Sequence, residues 1–188
     1  MDPLLIDVPE QIESQRLIIR APRRGDGAEI NAAIVESIAE LRQWMPWAKQ
    51  TPTVDETESN CRRAAARFAA REDLRLQFYL KDTGVFVGSS GLHRIDWSVP
   101  KFEIGYWVRT SLCGRGFATE TTQAIAKLAF EQLGAKRVEI RMDEKNLASR
   151  KIPERLGFTL EGILRNYERD HYDVIRDTRI YSKIEGQP

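Results

Sequence analysis

The stretch that decides the fold is Val108-Arg109-Thr110-Ser111-Leu112-Cys113-Gly114-Arg115-Gly116-Phe117-Ala118-Thr119-Glu120. An apolar strand pattern ends here, a loop with two glycines turns, and an amphipathic helix begins. Glycines let backbone N–H groups point outward without a Cβ in the way, and the first turn of a helix adds the positive end of its dipole. The loop is therefore suited to a pyrophosphate, and Arg115 adds a positive charge to the same place.

Other phosphate-binding loops fit this stretch less well. The dinucleotide fingerprint has a third glycine where this chain has Thr119, and the Gly-Lys-Ser/Thr of a Walker loop is absent. A Gly-x-Gly pair alone fits an ordinary strand–helix turn as well as a phosphate site. The flanking sequence must decide between the two.

The flanking sequence alternates between the two periods of a mixed fold. A strand is expected at residues 16–20, a helix after Asp26 and a second helix over 55–71 with Thr53 or Asp55 as its cap. Further strands are expected at 76–80, 85–92, 102–108, 137–142, 158–164 and 176–184, and a short helix at 147–156 ends at Gly157. This order predicts an α/β protein whose mixed sheet has helices on both faces. With no repeat and no long linker, residues 1–188 are expected to form a single domain.

Composition excludes several classes of function. The chain has 188 residues, of which 41% are hydrophobic and 30% charged, and its 29 Lys and Arg nearly balance its 28 Asp and Glu. Non-specific nucleic-acid binding, which needs a basic face, is therefore not expected. The cysteines Cys61 and Cys113 suggest no disulfide framework, and with His93 and His171 they make a poor zinc site, so no metal is expected. No signal peptide or membrane span is evident, and the expected location is cytoplasmic.

Four short motifs occur in order: EIGYWV at 103–108, GRGFATE at 114–120, NLAS at 146–149 and LGF at 156–158. Supporting stretches lie at 13–20, 41–47 and 161–165. Together they resemble the GNAT superfamily of N-acetyltransferases, and within it the branch of ribosomal-protein alanine and serine N-acetyltransferases (RimJ/RimL type). The resemblance covers nearly the whole chain.

The resemblance implies the GNAT acyltransferase fold, with a mostly antiparallel sheet of about seven strands and one splayed parallel pair ending near Val108 and Met142. Acetyl-CoA would lie between these two strands. The residues implied in binding it are Val108, Arg109, Gly114, Arg115, Gly116, Phe117, Ala118, Thr119 and Asn146. Two departures bear on affinity: Ser111 stands where the superfamily often has Gln or Arg, and Cys113 where relatives commonly carry a basic residue.

The implied reaction is direct transfer to an amine, which needs a base for the ammonium and a proton donor for the leaving thiolate. Glu103 is the candidate base, and a structural carboxylate paired with Arg or Lys is an equal alternative. Ser149 is the candidate acid, and its alternative is to cap the short helix together with Asn146. His93 is a minor alternative base, although both histidines are expected to be surface or hydrogen-bonding residues. Cys113 is not expected to act as a nucleophile.

Aromatic and basic residues outside the motifs complete the expectations. Trp44 and Trp47, on either side of a proline break, are expected to form a wall of the acceptor site, with a place in the core or in a dimer contact as the alternatives. Tyr106 and Trp107 are expected to pack on the sheet, and the arginine cluster at 62–67 to be a solvated helix face.

Three functions remain open. The first is acetylation of a primary amine, above all a protein N-terminus of ribosomal-protein type. The second is acetylation of a small molecule such as an antibiotic, a polyamine or an amino acid. The third is a non-catalytic acyl-CoA sensor. The expected partners are acetyl-CoA and the acceptor, without nucleic acid or membrane, and a homodimer is possible.

Overall fold

The computed structural model describes residues 2–170 and 172–186, in which eight strands and four α-helices occur. The strands are β1 (Gln11–Glu13), β2 (Leu17–Arg20), β3 (Leu74–Leu80), β4 (Phe86–Asp96), β5 (Lys101–Val108), β6 (Arg137–Asp143), β7 (Thr159–Arg169) and β8 (Ile175–Ile184). The helices are α1 (Gly27–Trp44), α2 (Val54–Ala69), α3 (Phe117–Glu131) and α4 (Leu147–Arg155). Over these described ranges, no helix is long and apolar enough to cross a bilayer. His171 lies outside the described residues.

The strands form one sheet in the order β1-β2-β3-β4-β5-β6-β8-β7. Neighbours are antiparallel except β5 and β6, which are parallel. The predicted mixed sheet with one parallel pair is thus confirmed. The strand beyond the expected seven is β1, whose three residues pair with β2 and are too few to show a period in sequence.

Helices cover both faces of the sheet, as predicted. In β3, Leu76 and Phe78 point into one core, which they share with Ile125 of α3. Tyr79 points the opposite way, into a second core with Ile34 of α1 and residues of α2. The alternation of a strand thereby places one side chain in each layer in turn.

The two helices of the second layer begin in different ways. At α2 the Thr53 hydroxyl accepts a hydrogen bond from the Glu56 N–H at 3.2 Å, and the Glu56 carboxylate accepts one from the Thr53 N–H at 2.7 Å. This capping box confirms Thr53 as the cap. Asp26 occupies the expected N-cap position of α1, but its carboxylate makes no capping hydrogen bond to the helix. It pairs with the Arg20 guanidinium at 2.8 Å instead.

The start of α1 lies directly against α2. A Cβ added at Gly27 would come within 2.5 Å of the Glu58 Cα. The Glu58 carboxylate accepts hydrogen bonds from the N–H groups of Gly25 and Gly27, both at 3.0 Å. Backbone contact and hydrogen bonds together set the distance between the two helices.

The parallel pair is short. The ladder joins Lys101 to Arg137, Phe102 to Val138 and Glu103 to Glu139, and then it stops. Beyond this point β5 remains paired with β4, and β6 remains paired with β8. The two strands therefore diverge towards their carboxyl ends and leave a wedge-shaped opening in the sheet, which confirms the splayed pair.

Replacing Gly27 by Ala should lower the free energy of unfolding by about 2 kcal/mol, as overpacking commonly does, because α1 and α2 must separate. Gly162→Ala is the matched control, since a Cβ there meets no heavy atom within 4 Å. Urea unfolding followed by tryptophan fluorescence measures both variants. Equal stability of the two would contradict the close contact between the helices.

Candidate active site

A cavity of about 770 Å³ opens along the wedge, from the face of the sheet that carries α1 and α2 through to Asn146 and Ser149 at the start of α4. Its lining comes from the end of α1, from α2 and from strands on both sides of the wedge. This volume lies within the range of about 300–1,000 Å³ that is usual for small-molecule sites. The opening in the sheet and the cavity together form the candidate site.

The exposed edge of β5 faces the wedge. The Arg109 N–H donates to the Val87 carbonyl of the neighbouring strand at 2.8 Å. Because hydrogen bonding alternates along an antiparallel strand, the backbone groups of Tyr106 and Val108 turn the other way, towards β6. The ladder to β6 has already ended there. An extended ligand can therefore pair with β5 as an added strand would.

The glycine loop lies between β5 and α3. Gly114 and Gly116 have φ values of 77° and 82°, in the left-handed region that favours glycine. In the described part of the chain, the N–H groups of residues 114–119 have no hydrogen-bond partner. They surround the N-terminus of α3, where unpaired N–H groups and the helix dipole favour an anion. The structure thus brings together the predicted residues Gly114, Arg115, Gly116, Phe117, Ala118 and Thr119.

Helix α1 holds the turn that precedes this loop. The Thr110 N–H donates to Ser37 Oγ at 2.9 Å, and the Ser111 N–H donates to Glu36 Oε1 at 3.0 Å. The Arg109 guanidinium also contacts Glu36, with Nε 2.6 Å from Oε2. The Arg109 side chain is therefore directed to α1, away from the glycine loop. Ser111 contributes to this anchor through its backbone N–H, which the Gln or Arg common at this position would also supply.

The opposite side of the loop is held by Arg16. Its Nε donates to the Glu120 carboxylate at 2.7 Å, its Nη1 donates to the Arg115 carbonyl at 3.1 Å, and its guanidinium lies 4.4 Å from the centre of the Phe117 ring. The Arg115 side chain itself is exposed, with Nη2 3.4 Å from the Ser111 carbonyl. The loop is thus fixed from two directions, while one arginine side chain stays free to meet a ligand.

Cys113, the second departure, is an exposed free thiol. Its Sγ lies 3.5 Å from the Arg109 carbonyl oxygen. Although Cys113 is exposed overall, its thiol is partly desolvated. This partial burial raises the pKa of the thiol, and the carboxylates of Glu40 and Glu36 raise it further. Because the thiolate is the reactive form, a raised pKa makes Cys113 a weak nucleophile at neutral pH.

Asn146 and Ser149 lie on the far side of the wedge, at the start of α4. Asn146 Oδ1 accepts a hydrogen bond from the Ser149 N–H at 3.0 Å, so Asn146 caps the helix. The Ser149 hydroxyl is free of this cap, and its Oγ lies 3.0 Å from the Tyr106 hydroxyl. The Tyr106 hydroxyl also lies within 3.1 Å of the Ser149 carbonyl oxygen. The capping pair and a hydroxyl pair are therefore present together.

Tyr106 has a larger part in the site than the sequence indicates. It packs against the main core, as expected, but its hydroxyl reaches across the wedge to α4. Burial raises the pKa of Tyr106 to about 12, while the hydrogen bond with Ser149 acts in the opposite direction. The hydroxyl therefore keeps its proton at neutral pH. Since Ser149 is 43 positions away, no local pattern signals this contact.

Glu103 lies at the narrow end of the wedge and lines the cavity. Its carboxylate is 3.2 Å from Arg94 Nη1 and 3.3 Å from Arg141 Nε, and its side chain is 16% exposed. Burial raises the pKa of Glu103, although the charges of Arg94 and Arg141 partly oppose this. A raised pKa makes the carboxylate a better proton acceptor. Glu103 therefore makes the ion pairs expected of a structural carboxylate, and it also lines the cavity, as a catalytic base must.

Arg94 reaches Glu103 because of an irregularity in β4. The pairing of β4 with β5 shifts between His93 and Asp96, and Arg94 has a φ of 46°. A left-handed conformation costs a residue with a Cβ about 1–2 kcal/mol. Surrounding contacts, including the ion pair with Glu103, must offset this strain.

His93 is a hydrogen-bonding residue, as expected. Its Nδ1 lies 2.8 Å from Asp73 Oδ2, and its ring lies beside Gly105 on the cavity floor. Among the residues that the structure describes, no three His, Cys, Asp or Glu side chains are grouped as metal ligands.

Both predicted tryptophans line the cavity. Trp44 is the last residue of α1, and the chain then breaks at Pro46. The ring of Trp47 lies 6.1 Å from that of Trp107, at an interplanar angle of 57°. The structure thus brings Trp44 and Trp47 to one wall of the cavity, together with Trp107.

Three arginines that the sequence analysis did not assign to the site also line this wall. They are Arg42 near the end of α1, Arg63 on α2 and Arg75 on β3. The sequence places Arg63 in a cluster expected to be solvated, and the side chain is indeed exposed. Arg63 can be exposed and still line the cavity, because α2 forms part of the cavity's rim.

The sequence is similar to known N-acetyltransferases. The family described as "Acetyltransferase (GNAT) domain" matches residues 16–159. YdaF of Bacillus subtilis (strain 168) is 28% identical over 178 residues, which cover 93% of this chain and 96% of that protein. The "Ribosomal-protein-serine acetyltransferase" of Escherichia coli (strain K12) is 25% identical over 80% of this chain and 85% of its own length. The match to p20 of Bacillus licheniformis, at 34% identity, spans only 50% of this chain and 53% of p20.

Solved structures share the fold. RimL in complex with coenzyme A has a TM-score of 0.87 at 22% identity, over 94% of this chain and 98% of its own. MccE in complex with acetyl-CoA and AMP has a TM-score of 0.86 at 23% identity, over 94% and 97%. The expected fold is therefore confirmed. Because the family match covers most of the sequence, this chain belongs to the GNAT family of N-acetyltransferases.

Proposed function

We propose that the protein transfers an acetyl group from acetyl-CoA to a primary amine, and that this amine is the N-terminus of a protein of ribosomal type. The observation that carries the proposal is the wedge between β5 and β6, which has a free strand edge on one side and a free cluster of N–H groups at its mouth. The names of relatives such as the ribosomal-protein-serine acetyltransferase support the choice of acceptor. We also infer that the chain acts as one domain in the cytoplasm.

The donor site follows from these free backbone groups. Tyr106 and Val108 offer the edge of β5 to the amide-containing pantetheine arm. The N–H groups of residues 114–119 offer hydrogen bonds to the pyrophosphate, and Arg115 offers a positive charge. Asn146 is taken up by the α4 cap, which leaves its amide nitrogen for a ligand. Arg109 would position the turn rather than contact the donor, since its guanidinium pairs with Glu36, its N–H donates to the Val87 carbonyl and its own carbonyl accepts from the Leu112 N–H.

The reaction needs one proton transfer on each side of the wedge, one from the acceptor ammonium and one to the sulfur of coenzyme A. The acceptor ammonium must lose a proton so that its nitrogen can attack the thioester carbonyl carbon, and the sulfur must gain one as the C–S bond breaks. Glu103 accepts the first proton, directly or through one water. The Ser149 hydroxyl donates to the sulfur, and the Tyr106 hydroxyl, which donates to the Ser149 carbonyl, holds Ser149 in place. One C–N bond forms and one C–S bond breaks. The attacking nitrogen loses its second proton to solvent as the C–S bond breaks, so one proton ends on the thiol and one in solvent, and Glu103 and Ser149 regain their starting protonation by exchange with solvent.

The acceptor enters from the cavity side. Trp44, Trp47 and Trp107 form an apolar wall beside Glu103 in the same cavity. A small-molecule amine is the alternative acceptor, and an acyl-CoA sensor without activity is the alternative function.

Incubation with acetyl-CoA and peptides bearing free N-termini should release free thiol and add one acetyl group to the terminal nitrogen. Thiol release and mass spectrometry measure this, with N-terminally blocked peptides as the control. Acetylation of polyamines or antibiotics without any peptide product would overturn the acceptor class. No product with any amine, despite acetyl-CoA binding, would favour the sensor.

Replacing Gly114 by Ala should weaken acetyl-CoA binding about tenfold, the worth of one strong hydrogen bond, because a Cβ would occupy the anion cradle. Gly134→Ala is the matched control. Both glycines have positive φ values, 77° and 64°, and a Cβ at either meets no protein atom within 4 Å. Calorimetric titration should show weaker binding only for Gly114→Ala, while both variants lose similar thermal stability. Equal affinities would contradict a role of the loop in binding.

Replacing Glu103 by Gln should lower kcat about 100-fold, as loss of a general base commonly does. Because burial raises the pKa of Glu103, the wild-type rate should fall as the pH drops through this raised pKa. The variant should lose this acidic limb, whereas Ser149→Ala should lower kcat and keep it. An unchanged pH profile in Glu103→Gln would show that Glu103 is only an ion-pair partner.

A further inference from the structure

Most of the charged side chains that line the cavity are arginines. Seven arginines and five carboxylates give the lining a formal charge of +2, close to the +1 of the whole sequence, so the pairing of these groups decides where positive charge remains for a ligand. The glycine loop does not contribute to this excess, since none of residues 109–119 lines the cavity. The excess positive charge therefore belongs to the acceptor side of the site.

The arginines on the β4–β8 wall are all paired with carboxylates. Arg94 and Arg141 contact Glu103, Arg141 also contacts Glu139, Arg169 contacts Asp173, and Arg176 contacts both Asp143 and Asp170. Each of these guanidinium groups is already neutralised within the protein. This wall has little charge left for a ligand.

The arginines on the opposite wall have neutral partners. Arg42 Nη2 lies 3.4 Å from Thr51 Oγ1, and Arg63 Nη1 lies 3.4 Å from Ser59 Oγ. Arg75 donates to the Asn60 side-chain oxygen. None of these three guanidinium groups has a carboxylate within 4.0 Å among the described residues, which sets this wall apart from the other.

One of the three also has an unused donor inside the protein. The Nε of Arg42 is buried and has no hydrogen-bond partner within residues 2–170 and 172–186. Buried donors are normally satisfied, and a guanidinium binds carboxylates and phosphates through two donors at once. Arg141 and Arg176 on the other wall also have a buried Nε without a hydrogen bond, so the feature that distinguishes this wall is the lack of a carboxylate within 4.0 Å of its guanidinium groups among the described residues. The cluster Arg42, Arg63 and Arg75 can therefore meet an anionic group of the acceptor through its terminal nitrogens.

The distance from this cluster to Glu103 fits a short peptide. Arg75 pairs with Gly91, and Gly91 pairs with Gly105, two residues from Glu103 on β5. Two strand spacings lead from Arg75 to Gly105, about 10 Å, and the two further residues along β5 bring the separation from Glu103 to about 12 Å, whereas an extended peptide advances about 3.3 Å per residue. An N-terminal nitrogen at Glu103 would thus place the side chains of roughly the second to fourth residues near the arginines.

We propose that Arg42, Arg63 and Arg75 form a specificity site for acidic side chains that follow the acceptor's N-terminal residue. This inference rests on the proposed function, because it takes the acceptor to be a peptide terminus. The free strand edge and the glycine loop bind the donor, and the arginine wall selects the acceptor.

Three matched peptides test the inference, with Ser at the N-terminus followed by Glu and Asp, by Gln and Asn, or by Lys residues. The acidic peptide should have a kcat/KM about tenfold above the amide peptide, since charged partners strengthen hydrogen bonds, and the Lys peptide should be poorest. The preference should shrink between 0.05 and 0.5 M salt, because the arginines are partly exposed.

Variants separate a direct role from a general loss of structure. Arg63→Gln and Arg75→Gln should each reduce the preference for the acidic peptide by raising its KM, with little effect on the amide peptide. Arg62→Gln is the matched control, because Arg62 is the neighbour of Arg63 on α2 but pairs with Glu58 and does not line the cavity. Arg63→Glu combined with Arg75→Glu should reverse the preference towards the Lys peptide, which a damaged protein could not do.

The outcomes distinguish this inference from the proposed function. If all three peptides are acetylated equally well, the specificity site is wrong and the acceptor class stands. If no peptide is acetylated, but small amines that carry a carboxylate or phosphate are, and their KM depends on Arg63 and Arg75, then the acceptor class is wrong and the anion site stands. Loss of preference in Arg62→Gln as well as in Arg63→Gln would overturn the assignment to the cavity wall.

Discussion

The site depends on one interruption, the end of the β5–β6 ladder after Glu103 and Glu139. Backbone groups of a central strand are normally paired, and leaving them unpaired costs free energy unless water or a ligand satisfies them. Here the missing partner strand exposes the edge of β5 exactly where the glycine loop and α3 begin. The same interruption opens a passage through the sheet, so that Glu103, on the α1–α2 face, and Tyr106, on the α3–α4 face, border one space.

The opening persists because each strand is held from its outer side. β5 continues along β4, and β6 along β8, so neither can move inward without breaking a ladder that is already complete. Contacts at the mouth of the wedge also keep β5 in place, because Ser37 and Glu36 of α1 bind the turn that follows this strand. Across the mouth, the Tyr106–Ser149 hydroxyl pair sets the separation of β5 from α4. A binding site built this way is preorganised, since its free groups belong to rigid elements.

The sequence predicts what local patterns encode. Strand alternation, the Thr53 cap, the Gly157 stop and the glycine loop each depend on residues a few positions apart, and the structure has all of them. It could not predict contacts that depend on strand register. Arg94 and Arg141 meet at Glu103 only because of a shift in β4 and the parallel pairing of β6, and Asp26 pairs with Arg20 although a helix cap was expected from its position. The contact of the Tyr106 hydroxyl with Ser149 could not be predicted either, because it joins residues 43 positions apart.

The distribution of charge shows why composition misleads about the acceptor. A net charge of +1 shows only that positive and negative side chains are nearly equal in number. It does not show which of them form ion pairs. In the folded chain, the carboxylates near the wedge are bound by arginines from β4, β6 and β8. The α2 carboxylates Glu56 and Glu58 are bound by the Thr53 cap, by the N–H groups of Gly25 and Gly27, and by Arg62. Arg42, Arg63 and Arg75, on the α1–α2–β3 wall, have no carboxylate within 4.0 Å in the part of the chain that the structure describes, so their charge is available to a ligand. An electrostatic preference can thus arise in a nearly neutral chain, and it arises from pairing rather than from number.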